Sequence, residues 1–329
     1  MSALARLLEP FFTDRLIHQR QASPHTVAAY RDTFRLLLGF LHRRLGKAPS
    51  ELVLEHLDAP LIGAFLEDLE KQRHNSVRTR NLRLAAIHSF FRYAALQAPE
   101  HSALIQRVLA IPPKRCDRAL VTYLTPAETE ALLTAPDRRS WIGRRDHTLM
   151  LVAVQTGLRV SELTRLDVQD VQLGSGAHVR CCGKGRKERC TPLTAQTVGV
   201  LREWLREGNP GPSDPLFPSR RGGRLSRDAV ERLLRKYAAL AQQRCASLST
   251  KRISPHVLRH TSAMRLLQAG VDRSVIALWL GHESAETTQI YLHADLSMKE
   301  RALERTAPLT TPPGRYRAPD SLLAFLEGL

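Results

Sequence analysis

The chain has no run of apolar residues approaching the ~18 that a membrane-spanning helix needs, so no membrane partner is expected. It has five cysteines, Cys116, Cys181, Cys182, Cys190 and Cys245, an odd number with no CxxC pair. That spacing argues against a disulfide framework and against a zinc site, and leaves reduced thiols in a cytoplasmic protein as the expectation. The opening segment is apolar but interrupted by Arg6, Glu9, Asp14 and Arg15, and lacks the basic, apolar and small-residue order of a secretory signal. There is no internal repeat and no low-complexity block. Acidic side chains are in deficit: 32 Asp and Glu stand against 49 Lys and Arg, giving a formal charge of +17 and a pI near 10.4. A domain pI above about 9 is the footprint of a nucleic-acid binder. Each cation set near a phosphate releases condensed counterions, so affinity should fall steeply with salt. Charge alone also fits a ribosome-associated or membrane-surface protein.

A length of 329 residues usually makes about two domains, and 43% hydrophobic residues suffice for packed cores. Residues 1–110 read as helical. Ser23 and Pro24 supply an N-cap followed by proline in the first turn, and Val27, Tyr30, Phe34, Leu37 and Leu41 recur at helical spacing. A second helix is expected from about Ala59 to Leu69, capped by Asp58. A third is expected from about Ser76 to Leu96, with Leu84, Ile87, Phe91 and Ala94 as its apolar stripe. Arg73, His74, Arg78, Arg80 and Arg83 lead into and open this third helix. Such a run is commonly a solvated face. In a chain this basic the preferred reading is a surface for the DNA backbone, with Arg78, Arg80 and Arg83 as contacts.

Residues 111–120 begin Ile111-Pro112-Pro113-Lys114-Arg115, where prolines enforce extended backbone and cations keep it in water. A basic interdomain linker is expected there. The second domain, residues 121–300, opens on a capping box, Thr125-Pro126-Ala127-Glu128. A long buried helix is expected from about Asp146 through Val154. His178–Cys182 and Arg189–Leu193 flank the Gly-rich stretch from Gly183 to Glu188 and read as a β-hairpin. From Leu201 onward the pattern is mostly helical, with a loop from Gly208 to Arg224.

Four stretches carry the chemistry: Thr156-Gly157-Leu158-Arg159 with Glu162; Gly183-Lys184-Gly185; His256-Val257-Leu258-Arg259-His260; and Leu280-Gly281-His282 followed, nine residues after His282, by Tyr291. A metal reading of His256 and His260 lacks the Glu that a zinc-protease motif places directly after its first His, since Val257 stands there. No metal and no cofactor are therefore expected. His260 reads as a packed helix residue satisfied by backbone. Of six tyrosines, Tyr30, Tyr93 and Tyr237 sit at core spacing, Tyr123 precedes a helix cap and Tyr316 lies in a proline-rich tail.

Taken in this order, the four stretches resemble the tyrosine recombinase (phage-integrase-like) family, nearest to XerC/XerD-like chromosome-dimer resolvases and transposon-encoded integrases. The resemblance covers roughly residues 5–300 and extends to Ser23-Pro24-His25-Thr26 in the helical part. It implies a mainly α fold with a small β-hairpin or sheet, built as a two-domain, C-shaped DNA clamp. A helical, SAM-like core-binding domain would join an α+β catalytic domain. It implies Tyr291 as the nucleophile in a 3′-phosphotyrosyl intermediate, with Arg159 and Arg259 on the scissile phosphate. Guanidinium suits that task because its planar fork binds two oxygens and stays protonated. Lys184 becomes the general acid for the leaving 5′-oxygen, with Lys187 as the competing candidate. His256 accepts the tyrosine proton or orients the phosphate, His282 hydrogen-bonds the phosphate, and Glu162 supports the site. Arg186, Lys187 and Arg189 lie beside Lys184, where their charge would depress its pKa; Arg186 and Lys187 also read as DNA contacts. A tyrosine hydroxyl at pH 7 is about three units short of ionising, roughly 4 kcal/mol, which nearby cations would have to offset.

The implied activity is site-specific recombination, for integration, excision or resolution of a mobile element, by a homotetramer on two DNA sites in the cytoplasm. Alternatives are DNA relaxation of the type IB topoisomerase kind and a non-catalytic DNA-binding regulator on the same fold. Simple family members end soon after the nucleophile, whereas this chain continues to Leu329. Residues 301–329 read as a tail with a short terminal helix, Ser321–Leu329. Nine residues cannot hold a helix alone in water, so docking on a neighbouring protomer is expected, the alternative being a tail that folds back on its own domain or stays disordered.

Overall fold

The computed structural model describes residues 3–116, 121–183, 188–281 and Tyr291. The chain divides into two compact units, Met1–Arg118 and Ala119–Leu329. The expectations for Lys184, Arg186, Lys187, His282 and the tail helix fall outside the described residues.

The first unit is helical: α1 (Ala3–Pro10), a π-helical stretch (Phe11–Gln19), α2 (Pro24–Leu45), α3 (Ala59–Lys71), α4 (Val77–Gln97) and α5 (Ser102–Leu109). Its helix starts are set by side chains that accept otherwise orphaned N–H groups. Ser23 Oγ accepts from Thr26 N at 3.2 Å, Asp58 from Leu61 N at 2.8 Å and Ser76 Oγ from Thr79 N at 3.3 Å. Phe34, Leu37 and Leu41 of α2 meet Phe65 and Leu69 of α3 and Leu84, Ile87 and Phe91 of α4 in one buried core. Phe34 and Phe90 pack edge to face with centroids 5.2 Å apart.

Arg80 departs from its expected role. It lies one turn before Leu84 on the buried stripe of α4 and is only 6% exposed. Its guanidinium donates inward to the Pro112 carbonyl at 3.2 Å. Asn81 beside it exchanges hydrogen bonds with the Lys114 backbone at 2.8 and 3.1 Å. The pair fastens the beginning of the proline segment to α4, so Arg80 is withdrawn from any phosphate. Arg83 is half-buried and bonds the Ala29 carbonyl and Thr33 hydroxyl of α2. Arg78 is exposed.

The second unit contains α6 (Pro126–Thr134), α7 (Trp141–Thr156), α8 (Val160–Leu163), β1 (Val171–Gln172), β2 (His178–Cys182), β3 (Glu188–Pro192), α9 (Ala195–Gly208), α10 (Arg227–Ala241), α11 (Pro255–Gln268) and α12 (Arg273–Leu280). Thr125 and Glu128 form the capping box of α6, and Glu128 also holds Lys251 Nζ at 2.7 Å. Helix α7 begins earlier than its apolar run, because Ser140 Oγ caps Gly143 N at 3.0 Å. The hairpin is antiparallel in the order β1-β2-β3, with Val179 opposite Thr191 and Cys182 opposite Glu188. Strand β1 was not expected, since two residues carry no readable period. The main core gathers Leu149 and Val152 of α7, Val179 of β2, Leu234 of α10 and Leu258 of α11. A separate cluster of Met264, Leu267, Ile276 and Leu280 packs around Tyr291. No helix among the described residues is long and apolar enough to cross a membrane.

Candidate active site

Three backbone features place the arginines. Helix α7 ends at Gly157, whose φ of +66° is a left-handed cap that favours glycine. A Cβ there would stand 2.6 Å from Leu280 Cδ2 and 3.0 Å from Ser262 Oγ. Helix α12 ends at Gly281 in the same conformation, φ +64°. At the start of α8 the Arg159 N–H donates to Glu162 Oε2 at 2.7 Å. The helix ends leave carbonyls without intrahelical partners, and the dipoles make those ends attractive to cations.

The guanidiniums fill them. Arg259, on α11 and 5% exposed, donates to Gly157 O and Leu280 O, each at 2.7 Å. Arg159 donates to Gly281 O at 2.8 Å and to Glu162 Oε1 at 2.9 Å. Arg159 and Arg259 are thus anchored to consecutive carbonyls of the same Leu280–Gly281 turn, with N–H groups left over, since a guanidinium has five. Trp279 Nε1 takes the neighbouring Thr156 carbonyl at 3.1 Å. The ends of α7 at Gly157 and of α12 at Leu280–Gly281 are therefore closed by Arg159 and Arg259. Burial, then the proximity of Arg159, lowers the Arg259 pKa to about 10, which leaves it charged at neutral pH.

Glu162 is buried and accepts four bonds. Besides the two from Arg159, Arg189 of β3 donates from Nη1 to Oε1 at 3.0 Å and from Nη2 to Oε2 at 2.8 Å. Burial pushes the carboxyl pKa up, but the arginine and backbone bonds outweigh it and the net shift is downward. Arg189 was grouped by sequence with the loose cations around Lys184. Instead it shares the inward phase of its strand with Thr191, lies opposite Cys181, and is neutralised by Glu162. Strand alternation offered a signal: a cation in phase with Thr191 on the buried face must have a carboxylate partner.

Tyr291 is 1% exposed, and its Oη lies 3.0 Å from His260 Nδ1. The two rings meet edge to face, centroids 5.5 Å apart. The expected backbone partner for His260 is thus replaced by the hydroxyl of Tyr291. Its signal in the sequence was position: His260 directly follows Arg259 and lies one turn beyond His256, so it shares the site-facing side of α11. His256 is exposed, and its ring centroid is 6.5 Å from that of His260. Desolvation, then Arg227 and Arg259, lowers the His256 pKa. The activating surroundings anticipated for Tyr291 are outweighed in this arrangement: burial raises its pKa, against an opposing pull from Arg259.

Burial, then His256 and Arg259, drives the His260 pKa from 6.5 to about 4. Between those pH values the unfolded chain binds a proton that the folded chain refuses. Stability is therefore expected to fall as pH drops from 6.5 towards about 4 and to level off below. At about 1.4 kcal/mol per unit, this histidine contributes at most roughly 3.5 kcal/mol of acid sensitivity. Urea melts of wild type and His260→Gln across this window check it; the same acid slope in both proteins would exclude His260 as its source.

The sequence pattern of the phage integrase family matches residues 122–298, and that of the phage integrase N-terminal SAM-like domain matches residues 11–98. The chain belongs to the phage integrase family. It is accordingly a tyrosine recombinase, a DNA strand transferase acting in site-specific recombination. The recombinase is 61% identical over 328 residues to the integrase/recombinase y4rC of Sinorhizobium fredii, covering 100% of this chain and 99% of that one. It is 33% identical to tyrosine recombinase XerC of Pelobacter propionicus, covering 90% and 93%. Among solved structures it resembles the XerH recombinase in a post-cleavage complex with palindromic difH substrate, with a TM-score of 0.68, 26% identity and coverage of 87% and 81%.

Proposed function

We propose that the recombinase cuts duplex DNA by attack of Tyr291 Oη on a backbone phosphorus, forming a 3′-phosphotyrosyl bond as the P–O5′ bond breaks. The observation that carries this reading is the contact of Tyr291 Oη with His260, one residue from Arg259 and one turn from His256. It brings the hydroxyl to the helix that presents phosphate-binding groups. Arg159 and Arg259 bind the non-bridging oxygens, and their fixed N–H groups stabilise the charge of the transition state. The tyrosine proton passes to an imidazole of the α11 pair, His256 or His260. Lys184 protonates the leaving 5′-oxygen and His282 bonds the phosphate. The phosphotyrosyl bond keeps the energy of the phosphodiester, so resealing by a 5′-hydroxyl of a second duplex needs no cofactor and yields a recombinant strand.

The helical unit, residues 1–110, grips the duplex backbone through Arg78 and Arg83, and residues 111–120 link it to the catalytic domain, residues 121–300. Arg186 and Lys187 contact DNA beside Lys184. Four protomers act on two sites in the cytoplasm, with residues 301–329 docking on the neighbouring protomer, and the substrate is a mobile element. The similarity to the difH-bound XerH complex supports a duplex substrate.

The test uses duplexes tiled across the DNA flanking the gene, each nicked beside the candidate cleavage position so that the cut end diffuses away. Wild type is expected to form a covalent adduct on one of them, with the nucleotide mapped by mass spectrometry to Tyr291. Two intact copies of that site should exchange strands. An adduct on another tyrosine would overturn the assignment, and relaxation of supercoiled DNA without exchange would replace recombination by topoisomerase action.

A further inference from the structure

Arg189 is the cation of this site that no motif claimed. Its guanidinium occupies both oxygens of Glu162, the same carboxylate that holds Arg159 by backbone and side chain. A carboxylate has about four acceptor positions, and here all four are filled, two by each arginine. Arg189 also lies close against the other anchor of Arg159: a Cβ on Gly281 would lie 2.8 Å from Arg189 Nη1. The Gly281 carbonyl is where Arg159 is tied. Arg189 therefore touches both supports of Arg159, from a strand whose pairing with β2 fixes its place.

Charge gives the arrangement a purpose. Arg159, Arg189 and Arg259 against Glu162 leave a net two positive charges in the cluster. Without Arg189 the carboxylate would be neutralised by Arg159 alone. A fork-to-fork ion pair is the strongest geometry the two groups have, so Arg159 would be drawn onto Glu162 and away from an incoming phosphate.

We propose that Arg189 is a positioning residue of the recombinase: by filling two acceptor positions of Glu162 it holds Arg159 to a single side-chain bond there and leaves the remaining Arg159 N–H groups to bind the scissile phosphate. This rests on Arg159 as a phosphate ligand. Arg189 does not itself touch the reacting atoms. A merely structural ion pair would also be relieved when Glu162 is changed, but its cleavage rate would then follow its melting temperature.

The experiment is a double-mutant cycle on the nicked duplex that wild type attacks, with single-turnover cleavage rates measured at saturating DNA and thermal melts run on every variant. Arg189→Gln is expected to slow cleavage by about 10- to 100-fold, the range for displacing a charge-assisted contact. Adding Glu162→Gln should restore part of the rate, because the carboxylate that captured Arg159 is gone. The double variant should then cleave faster than Arg189→Gln alone at a temperature where the melts show both fully folded, a rescue that restored stability cannot produce. Arg189→Lys keeps the charge without the fork, and should melt near wild type and cleave at a rate between wild type and Arg189→Gln. If Arg189→Gln does not fold, Arg189→Lys with and without Glu162→Gln carries the test: Glu162→Gln should then raise the rate of the Lys variant. Rates that multiply independently, or wild-type cleavage by Arg189→Gln, overturn the proposal. If wild type forms no adduct on any duplex, the phosphate-binding reading itself has failed.

Discussion

Tyr291→Phe is expected to leave the recombinase folded and unable to form a covalent bond with DNA. The change removes one oxygen from a side chain that is 1% exposed and otherwise packed in the cluster of Met264, Leu267, Ile276 and Leu280. The ring keeps its place, so no cavity opens. The hydroxyl's bond to His260 is lost, and a net bond of this kind is worth about 1 kcal/mol, a small fraction of a domain's stability. Chemistry loses far more, because a phenyl ring offers phosphorus no nucleophile. The measurement is a denaturing gel on the nicked duplex, with a thermal melt and a binding isotherm for the same protein. Adduct should be absent while the melting temperature and DNA affinity stay near wild type. Adduct formation by Tyr291→Phe at a wild-type level would mean that another hydroxyl does the cutting.

The surroundings of Tyr291 sharpen what its activation requires. Ionising it costs roughly 4 kcal/mol at neutral pH before any protein influence. Burial adds to that cost in this arrangement, and Arg259 offsets part of it. His260 stays uncharged at neutral pH, so it can exchange a hydrogen bond with the hydroxyl without adding positive charge.

Legibility in the sequence followed the range of the interactions. Ser23, Asp58, Ser76 and Thr125 cap helices within three residues of their own position, so their roles could be read locally, and each makes the capping bond. The stripe of α4 was legible for the same reason: Leu84, Ile87, Phe91 and Ala94 repeat at the helical period and all are buried. Arg80 continues that stripe, but its charge outweighed its phase in the reading, and its partner, the Pro112 carbonyl, lies 32 residues away. Glu162 and Arg189 meet across 27 residues, His260 and Tyr291 across 31, and Arg159 and Gly281 across 122. Those contacts depend on how α11, α12 and the hairpin pack. The residue types at the site were therefore readable, while the division of labour among the cations was not.

Arg259→Gln is expected to reduce the cleavage rate by about 10²- to 10³-fold, the loss typical of removing one preorganised donor from a transition state. It should also destabilise the second unit. Arg259 is 5% exposed and closes the carbonyls of Gly157 and Leu280; a shorter amide reaches at most one of them, and a buried carbonyl without a partner costs about 1–3 kcal/mol. Lysine separates the two contributions. Arg259→Lys restores the charge but concentrates it at one nitrogen, which cannot span two carbonyls and a phosphate together. If charge alone matters, the lysine variant should cleave near the wild-type rate; if the fork matters, it should cleave nearly as poorly as Arg259→Gln. The structure favours the second outcome, because the guanidinium is wedged between two helix ends and already uses both terminal nitrogens to hold them. A pH profile gives an independent check. Arg259 keeps its proton up to about pH 10, so cleavage by wild type should decline only on the alkaline side of that value on its account. Wild-type cleavage by Arg259→Lys would show that the helix ends can close without the fork, and that Arg259 serves the phosphate as a point charge.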